Sequence, residues 1–564
     1  MDRVRTKRGR LAATAAVAAG LALLVSACGG GGSSSGGGGS TSSGSTTATA
    51  GKSFGTLKVV WGQTDYMDPG MSYRLESWQL FQNIYDGLVG KAHASGSAGA
   101  KIIPELAQSM PTVNKQGTDY KFTLRKGLHY SNGAPVKASD FKASIIRDFK
   151  MTSPGIGFFA NIVGSGACEK NPPQCSDISG ITANDSAGTV EIKLAQPESD
   201  FLYVLSLPFA SPVPANTPAS PQKGPPADGP YYIASYSPNK SFVIKRNPHY
   251  KKGSIPTVPQ GNPNEVVGTI TDDLDQSAQL VASGQDDFDE NLLPSDRLAS
   301  LQKKYSSHIR YYTTPSTYYF FLNERMPPFN NLKAREAINY ATDRTQLVKL
   351  RGGLGKVTEN FLPPTYPQYK KIDPFPYNLQ KAKQLVQQSG TKGMKVTVFT
   401  ISDVSFDKAA GEYMQGVLQS IGYNAQVREL SSGNYFVEIG NQSTKAQIGF
   451  DDWFEDYPYP SDWFNILQNG EHITPTHNNN NSNVNIPSIN KTIDSLDSLP
   501  PSQALSSSTN SKWAALDNTL MTKYATEVPY LNGILTSFFS SRMNMSCDIF
   551  DDSQDDFAQF CLNQ

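Results

Sequence analysis

Along this chain apolar residues come in short runs of alternating or helical spacing, separated by glycine, proline and polar clusters, the pattern of a mixed α/β protein. Residues 57–61 (LKVVW) alternate as a strand does. From 75 to 88, Leu75, Trp78, Phe81, Ile84, Tyr85 and Leu88 fall near helical spacing, and Gly87 and Gly90 close the run, which predicts a helix. Residues 120–126 (YKFTLRK) predict a strand that stops at Gly127. Asn132-Gly133 signals a turn, and Ser139 or Asp140 stands where a cap would open a helix over 141–149. The Asn/Ser-rich segment 478–510 predicts surface loops.

The densest stretch is 450–464, FDDWFEDYPYPSDWF. Trp453, Phe454, Tyr457, Tyr459 and Trp463 are interleaved with Asp451, Asp452, Glu455, Asp456 and Asp462. Pro458 and Pro460 forbid a helix or a central strand through its middle. Stiff aromatic walls beside acceptor-only carboxylates suit a ligand with an apolar body and a cationic end. A core-facing loop with its acids in solvent fits the same composition equally well.

The 564 residues are 38% hydrophobic and 10% aromatic, enough for two or three globular domains with a sizeable core. Residues 1–27 carry Arg3, Arg5, Lys7, Arg8 and Arg10. The remainder holds 45 Lys plus Arg against 49 Asp plus Glu with no basic stripe, which argues against nucleic acid. The basic opening runs into an apolar segment from Leu11 to Val25 and ends Val25-Ser26-Ala27-Cys28, the layout of a secretory signal over 1–27. An uncleaved membrane anchor is the rival, but the apolar segment is short for a full span. Residues 29–53 (GGGGSSSGGGGSTSSGSTTATAGKS) hold almost nothing that can be buried, so 28–54 predicts a flexible tether reaching roughly 25–30 Å. Four further cysteines are an even set in an exported chain and predict disulfides. Pairing Cys168 with Cys175 and Cys547 with Cys561 is the default among three connectivities. A metal site is the rival, with neither CxxC spacing nor a nearby histidine behind it.

A series of segments resembles the extracellular solute-binding proteins of ABC importers, in the peptide/nickel-type group called family 5. It opens with Asp68-Pro69, IYDGLV at 84–89, IPELAQSM at 103–110 and YKFTLRKGLHYSNGAPVKASDF at 120–141. It continues with DGPYYIASY at 228–236, FVIKRNPHY at 242–250, QLVASGQDDFD at 279–289 and YYFFLNERMPPFNNLKAREAINYATDR at 318–344. LPP at 362–364, NLQKAKQLVQQSG at 378–390 and GEYMQGVLQSIGYNAQVREL at 411–430 complete the order. The small residues before Cys28 resemble a lipobox, whose cysteine is lipidated.

The resemblance implies an α/β, two-lobe periplasmic-binding-protein-like fold, with an added subdomain in lobe I and a ligand cleft between the lobes. It implies lobe I over 55–312 with the subdomain near 111–222, lobe II over 313–525, and a C-terminal return to lobe I over 526–564. Hinge crossings fall near 313–317 and 525–531. In peptide-binding members a W-x-x-D aspartate pairs with the ligand's α-ammonium, and backbone beside the tryptophan pairs with the peptide as an added strand. The match is Trp453-Phe454-Glu455-Asp456, which implies Asp456 as ammonium partner, Trp453 and Phe454 as backbone partners, and Tyr457 beside them. Tyr73, Leu75, Phe158, Phe159, Asn291 and Tyr318 are implied as lining residues. Tyr73 stands where oligopeptide binders can carry a carboxylate, which leaves ligand length open. The implied protein is a monomeric lipoprotein, held on the outer face of a bacterial cell membrane through Cys28. It captures peptide, closes, and docks on ABC permease subunits, with no cofactor and no metal.

An oligosaccharide or a metal chelate is the alternative ligand. Aromatic platforms with acids serve sugar rings equally well, and His472 and His477 stand in a polar run. A receptor that signals without transport would share the same cleft. A secreted hydrolase is more distant: none of the six histidines lies in HExxH, GxSxG spacing occurs only at 32–36 and 51–55 in and at the end of the Gly/Ser tether, where no strand-to-helix elbow is predicted, and 352–356 (GGLGK) lacks the spacing of a phosphate loop.

Overall fold

A computed structural model describes residues 53–551 and 553–563. The signal segment 1–27, Cys28 and the tether up to residue 52 lie outside the described residues.

One eleven-stranded sheet organises the fold. Its order is Asn424–Leu430, Lys395–Ile401, Ile448–Phe454, Ile309–Leu322, Glu527–Phe539, Phe288–Asp289, Phe54–Trp61, Pro263–Ile270, Ser241–Arg246 and Tyr231–Ser237, with Gly355–Val357 beside Glu527–Phe539. Parallel pairing lies on both sides of the middle. Phe54–Trp61 runs with Pro263–Ile270 and Phe288–Asp289, and Lys395–Ile401 with Asn424–Leu430 and Ile448–Phe454. Each side is an α/β lobe. The two longest strands, Ile309–Leu322 and Glu527–Phe539, pair antiparallel and carry the sheet from one lobe to the other. Their ladder breaks between Thr313 and Thr317. Opposite the break a Cβ on Gly533 would meet Ser316 Oγ at 2.5 Å and Thr314 Oγ1 at 2.8 Å, so glycine is what lets the strands stay this close. A second, antiparallel sheet of Thr112–Val113, Asp119–Thr123, Thr189–Lys193 and Ile181–Asn184, with the helix Ala138–Met151, forms the added subdomain. No helix among the described residues is long and apolar enough to cross a membrane.

Polar side chains move several boundaries away from the apolar pattern. The helix expected over 75–88 stops at Phe81. Asn83 Nδ2 donates to Asp556 Oδ1 at 3.0 Å and Asp86 N–H to Asp228 Oδ1 at 2.9 Å, drawing the backbone off the helical ladder while Ile84, Tyr85 and Leu88 stay buried. The helix expected over 141–149 begins a turn earlier, because Asp140 accepts the Lys137 N–H at 2.9 Å and Ser139 bonds Asp185 instead.

The segment 478–510 is not surface loop. Helices Pro487–Asp497, Pro501–Ala504 and Ser507–Thr519 fill much of it, and Asn478 and Asn480 to Val484 are buried. Asparagine amides satisfy backbone that no strand pairs with. Asn478 Nδ2 donates to Asn480 O at 2.7 Å, and the Asn480 amide bonds both the N–H and the C=O of Val484 at 2.9 Å.

Candidate functional site

Ile448–Phe454 pairs along its length with 316–322, but on its other side only Ile448 and Gly449 meet Lys395–Ile401. From Phe450 onward the strand is an open edge. Antiparallel alternation decides which groups that edge offers. Glu455 N–H donates to Pro315 O at 3.1 Å and Asn323 N–H to Gln447 O at 2.9 Å, so odd-numbered residues of this strand bond inward. Trp453's main chain therefore faces Thr317, which corrects its expected place as a backbone partner for an added strand. Asp452 and Phe454 present their main chain outward, and Phe450's outward carbonyl takes the Tyr435 hydroxyl at 2.6 Å.

Asp456 stands just past the strand end. The Tyr73 hydroxyl donates to its Oδ2. Its own N–H donates to Asp462 Oδ2 at 3.1 Å, an oxygen that also takes the Trp453 indole N–H at 3.1 Å. Asp462 lies in the first turn of the helix Ser461–Gln468, fully buried, with Oδ1 unpartnered. Burial pushes Asp456 up to about 7, with Tyr73's hydrogen bond opposing the rise. Burial, and then the Asp456 charge, hold Asp462 well above the usual carboxylate range. Among the described residues no cation pairs with either acid.

Tyr73 reaches this acid from the other lobe. Asp65 accepts the Tyr73 N–H at 2.8 Å and the hydroxyls of Ser72 and Ser77 at 2.6 and 3.0 Å, which fixes the loop. The Tyr73 ring stacks on Trp78 at 5.4 Å and meets Phe158 and Phe209 edge-on at 6.2 and 5.6 Å. Tyr457 closes the wall, edge-on to Phe158 at 6.4 Å and stacked with Tyr203 at 6.3 Å. Its hydroxyl donates to Asp200 at 2.8 Å, an acid that Ser461 also bonds. Leu75, Trp78, Leu207, Glu455 and Asp456 line a cavity of about 70 Å³, room for a few waters.

Tyr318 belongs to a neighbouring cluster. It packs on Phe454, Phe406 and Phe450 at 5.9 to 6.2 Å, with the Arg351 guanidinium 4.6 Å over its ring and donating to its hydroxyl at 3.0 Å. Burial pushes Asp452 up to about 6, and the Arg351 charge opposes it. Two expected lining residues fall elsewhere. Phe159 is fully buried in the core, because neighbours in the short helix Ile156–Phe159 point different ways and only Phe158 meets Tyr73. Asn291 turns its amide to Thr271 O at 3.2 Å and its N–H to Asp289 at 3.0 Å. His472 and His477 are exposed. The cysteines lie in the two local pairs, Cα–Cα 4.6 and 5.7 Å. Sequence reading missed Asp200, Trp78, Phe209 and Arg351 and left Asp462 among the crowd of acids. Their roles depend on neighbours as far as 261 residues away, a separation that carries no local signal.

An acid without a counter-cation, beside an open strand edge and faced by an aromatic wall from the opposite lobe, defines a two-lobe binding protein that encloses its ligand. Residues 101–474 match the family described as bacterial extracellular solute-binding proteins, family 5 Middle, and the chain belongs to that family. Glutathione-binding protein GsiB of Escherichia coli (strain K12) is 25% identical over 392 residues, covering 67% of this chain and 70% of that one. The solved clavulanic acid biosynthesis oligopeptide binding protein 2 has a TM-score of 0.80 at 22% identity, over 91% of this chain and 96% of that one. DppA from Helicobacter pylori, in complex with peptide STSA, has a TM-score of 0.75 at 21% identity, over 91% and 99%.

Proposed function

We propose that this protein captures peptides with a free α-ammonium outside the cell membrane and hands them to the permease of an ABC importer. Asp456 carries the reading. It is a carboxyl held out of water without a cation, next to a strand edge that offers the main chain of Asp452 and Phe454. A peptide added to that edge would place its ammonium on Asp456 and its apolar side chains on the aromatic wall. The names of the relatives, a glutathione-binding protein and an oligopeptide binding protein among them, support a peptide-like ligand.

A cavity of about 70 Å³ admits a peptide only when the lobes part. The hinge is the pair of crossing strands at 313–317 and 525–531, dividing lobe I (55–312 and 526–564, with the subdomain 111–222) from lobe II (313–525). Cys28 carries the lipid anchor once the signal 1–27 is removed, the tether holds a monomer at the outer face, and the two cysteine pairs are disulfides formed there. Native mass spectrometry of the purified protein, followed by denaturation, should release short peptides. A sugar mass, or an ion with its chelator, would overturn the ligand and keep the closure. Cys28→Ala should move the protein to the soluble fraction, and continued lipid labelling would count against the anchor.

A further inference from the structure

Tyr73 follows a strand of one lobe and Asp456 a strand of the other, and the two side chains bond directly. Any ligand that reaches Asp456 from between the lobes has to part them. We propose that Tyr73 is an internal competitor: its hydroxyl holds the carboxylate that the ligand's ammonium takes, so binding is an exchange at one acceptor and Tyr73 sets how tightly amine ligands are held. This rests on the Asp456 reading above and adds the affinity-setting residue on the opposite lobe.

The presentation of Tyr73 is rigid. Its N–H is tied to Asp65, its ring is stacked on Trp78, and Phe158 and Phe209 pack edge-on against it, so the hydroxyl leaves Asp456 by lobe movement and not by a change of rotamer. The chemistry of the two donors is unequal. Burial, and then the Asp456 charge, keep the tyrosine hydroxyl protonated well above its ordinary range, so it is a neutral donor at any physiological pH. Both donors meet a charged acceptor, but the ammonium adds a full positive charge beside the carboxylate in a site shut from water, whereas Tyr73 and the amide of a blocked peptide are neutral donors. The surroundings favour the cation further. Asp462 accepts the Asp456 N–H, and Asp200 lies beyond it under Tyr457 and Ser461; among the described residues this buried cluster holds acids and no cation that would repel an ammonium. Tyr73 thus keeps Asp456 hydrogen-bonded and yields only to a better donor.

The test is isothermal titration of the full-length protein and its Tyr73→Phe variant with tri-alanine and with N-acetyl-tri-alanine. Phenylalanine keeps the ring contacts and removes only the hydroxyl. The expected result is that Tyr73→Phe binds tri-alanine about tenfold tighter, the size of one hydrogen bond to a charged acceptor. A residue that merely supports the wall would leave tri-alanine affinity unchanged in the variant, because its ring contacts remain. The pH profile supplies a second reading. Losing the hydroxyl raises the Asp456 pKa, so the fall in tri-alanine affinity on acidification should begin at higher pH in the variant. In the wild type, labelled Tyr73 should shift its Cζ resonance when tri-alanine is added. If the wild type prefers tri-alanine to its acetylated form and Tyr73→Phe binds it no tighter, the competitor role alone falls. If the wild type binds both peptides alike, or neither, the Asp456 reading falls and this proposal with it.

Discussion

Asp68 and Asp456 both stand in short sequence signatures, and their partners could hardly differ more. Asp68 is fully buried and takes four hydrogen bonds: Arg147 at 2.5 and 3.0 Å, Gln222 N–H at 2.8 Å and Gly70 N–H at 3.2 Å. Arg147 in turn reaches Pro218 O at 2.8 Å, so this acid stitches the 65–73 loop to the subdomain helix and its exit segment. Asp456 has the Tyr73 hydroxyl and no cation, and its pKa rises to about 7. Burial alone does not separate a carboxylate already neutralised inside the protein from one that could still take a cation. The partners do, because a charge neutralised inside the protein has nothing left to offer a ligand.

The sharpest way to break this contrast is through stability. Arg147→Met strands Asp68 as a buried charge and should cost about 3–5 kcal/mol in denaturant unfolding, while Asp456→Asn should stay within about 1 kcal/mol of wild type. A large loss from Asp456→Asn would make the two acids alike. In binding the order reverses. Asp456→Ala should weaken free-amine peptides by about 2–5 kcal/mol in calorimetry and leave N-acetylated ones nearly unchanged.

The pH dependence sharpens the comparison at lower amplitude. The carboxyl titrates at about 7 in the folded protein, against an ordinary 3.8, and an ammonium needs its ionised form. Affinity therefore falls as the pH drops below about 7, by up to about tenfold per pH unit, and this acid limb should be absent in Asp456→Asn. The smallest effect belongs to Asn291→Ala, whose amide is engaged with Thr271. Peptide affinity should change by less than about twofold in the same titration.

Local pattern foretold a good deal. The strand over 57–61 appears as Phe54–Trp61, and Pro458 and Pro460 lie between the end of one strand at Phe454 and the start of a helix at Ser461. The failures share a cause. Apolar spacing over 75–88 is satisfied by burial whether or not the backbone is helical, and remote carboxyls captured its amides. The asparagine run from 478 looked solvated because asparagine usually is, yet its amides bond neighbouring main chain and allow burial. Phe158 and Phe159 are indistinguishable by composition, and only the turn of a short helix sends one to Tyr73 and the other to the core.

By itself the sequence determined the strand at 57–61, the proline break at 458–460, the order of family segments and the acid-and-aromatic stretch from which the candidate site is built. Periodicity and turn chemistry are local, so a linear reading reaches them. Tertiary structure alone decided which acid has a cation, which main-chain groups line the open edge, and that Tyr73 meets Asp456 across 383 residues of chain. Hydrogen bonds form between groups that packing brings within about 3 Å, and no spacing rule in one dimension specifies that approach.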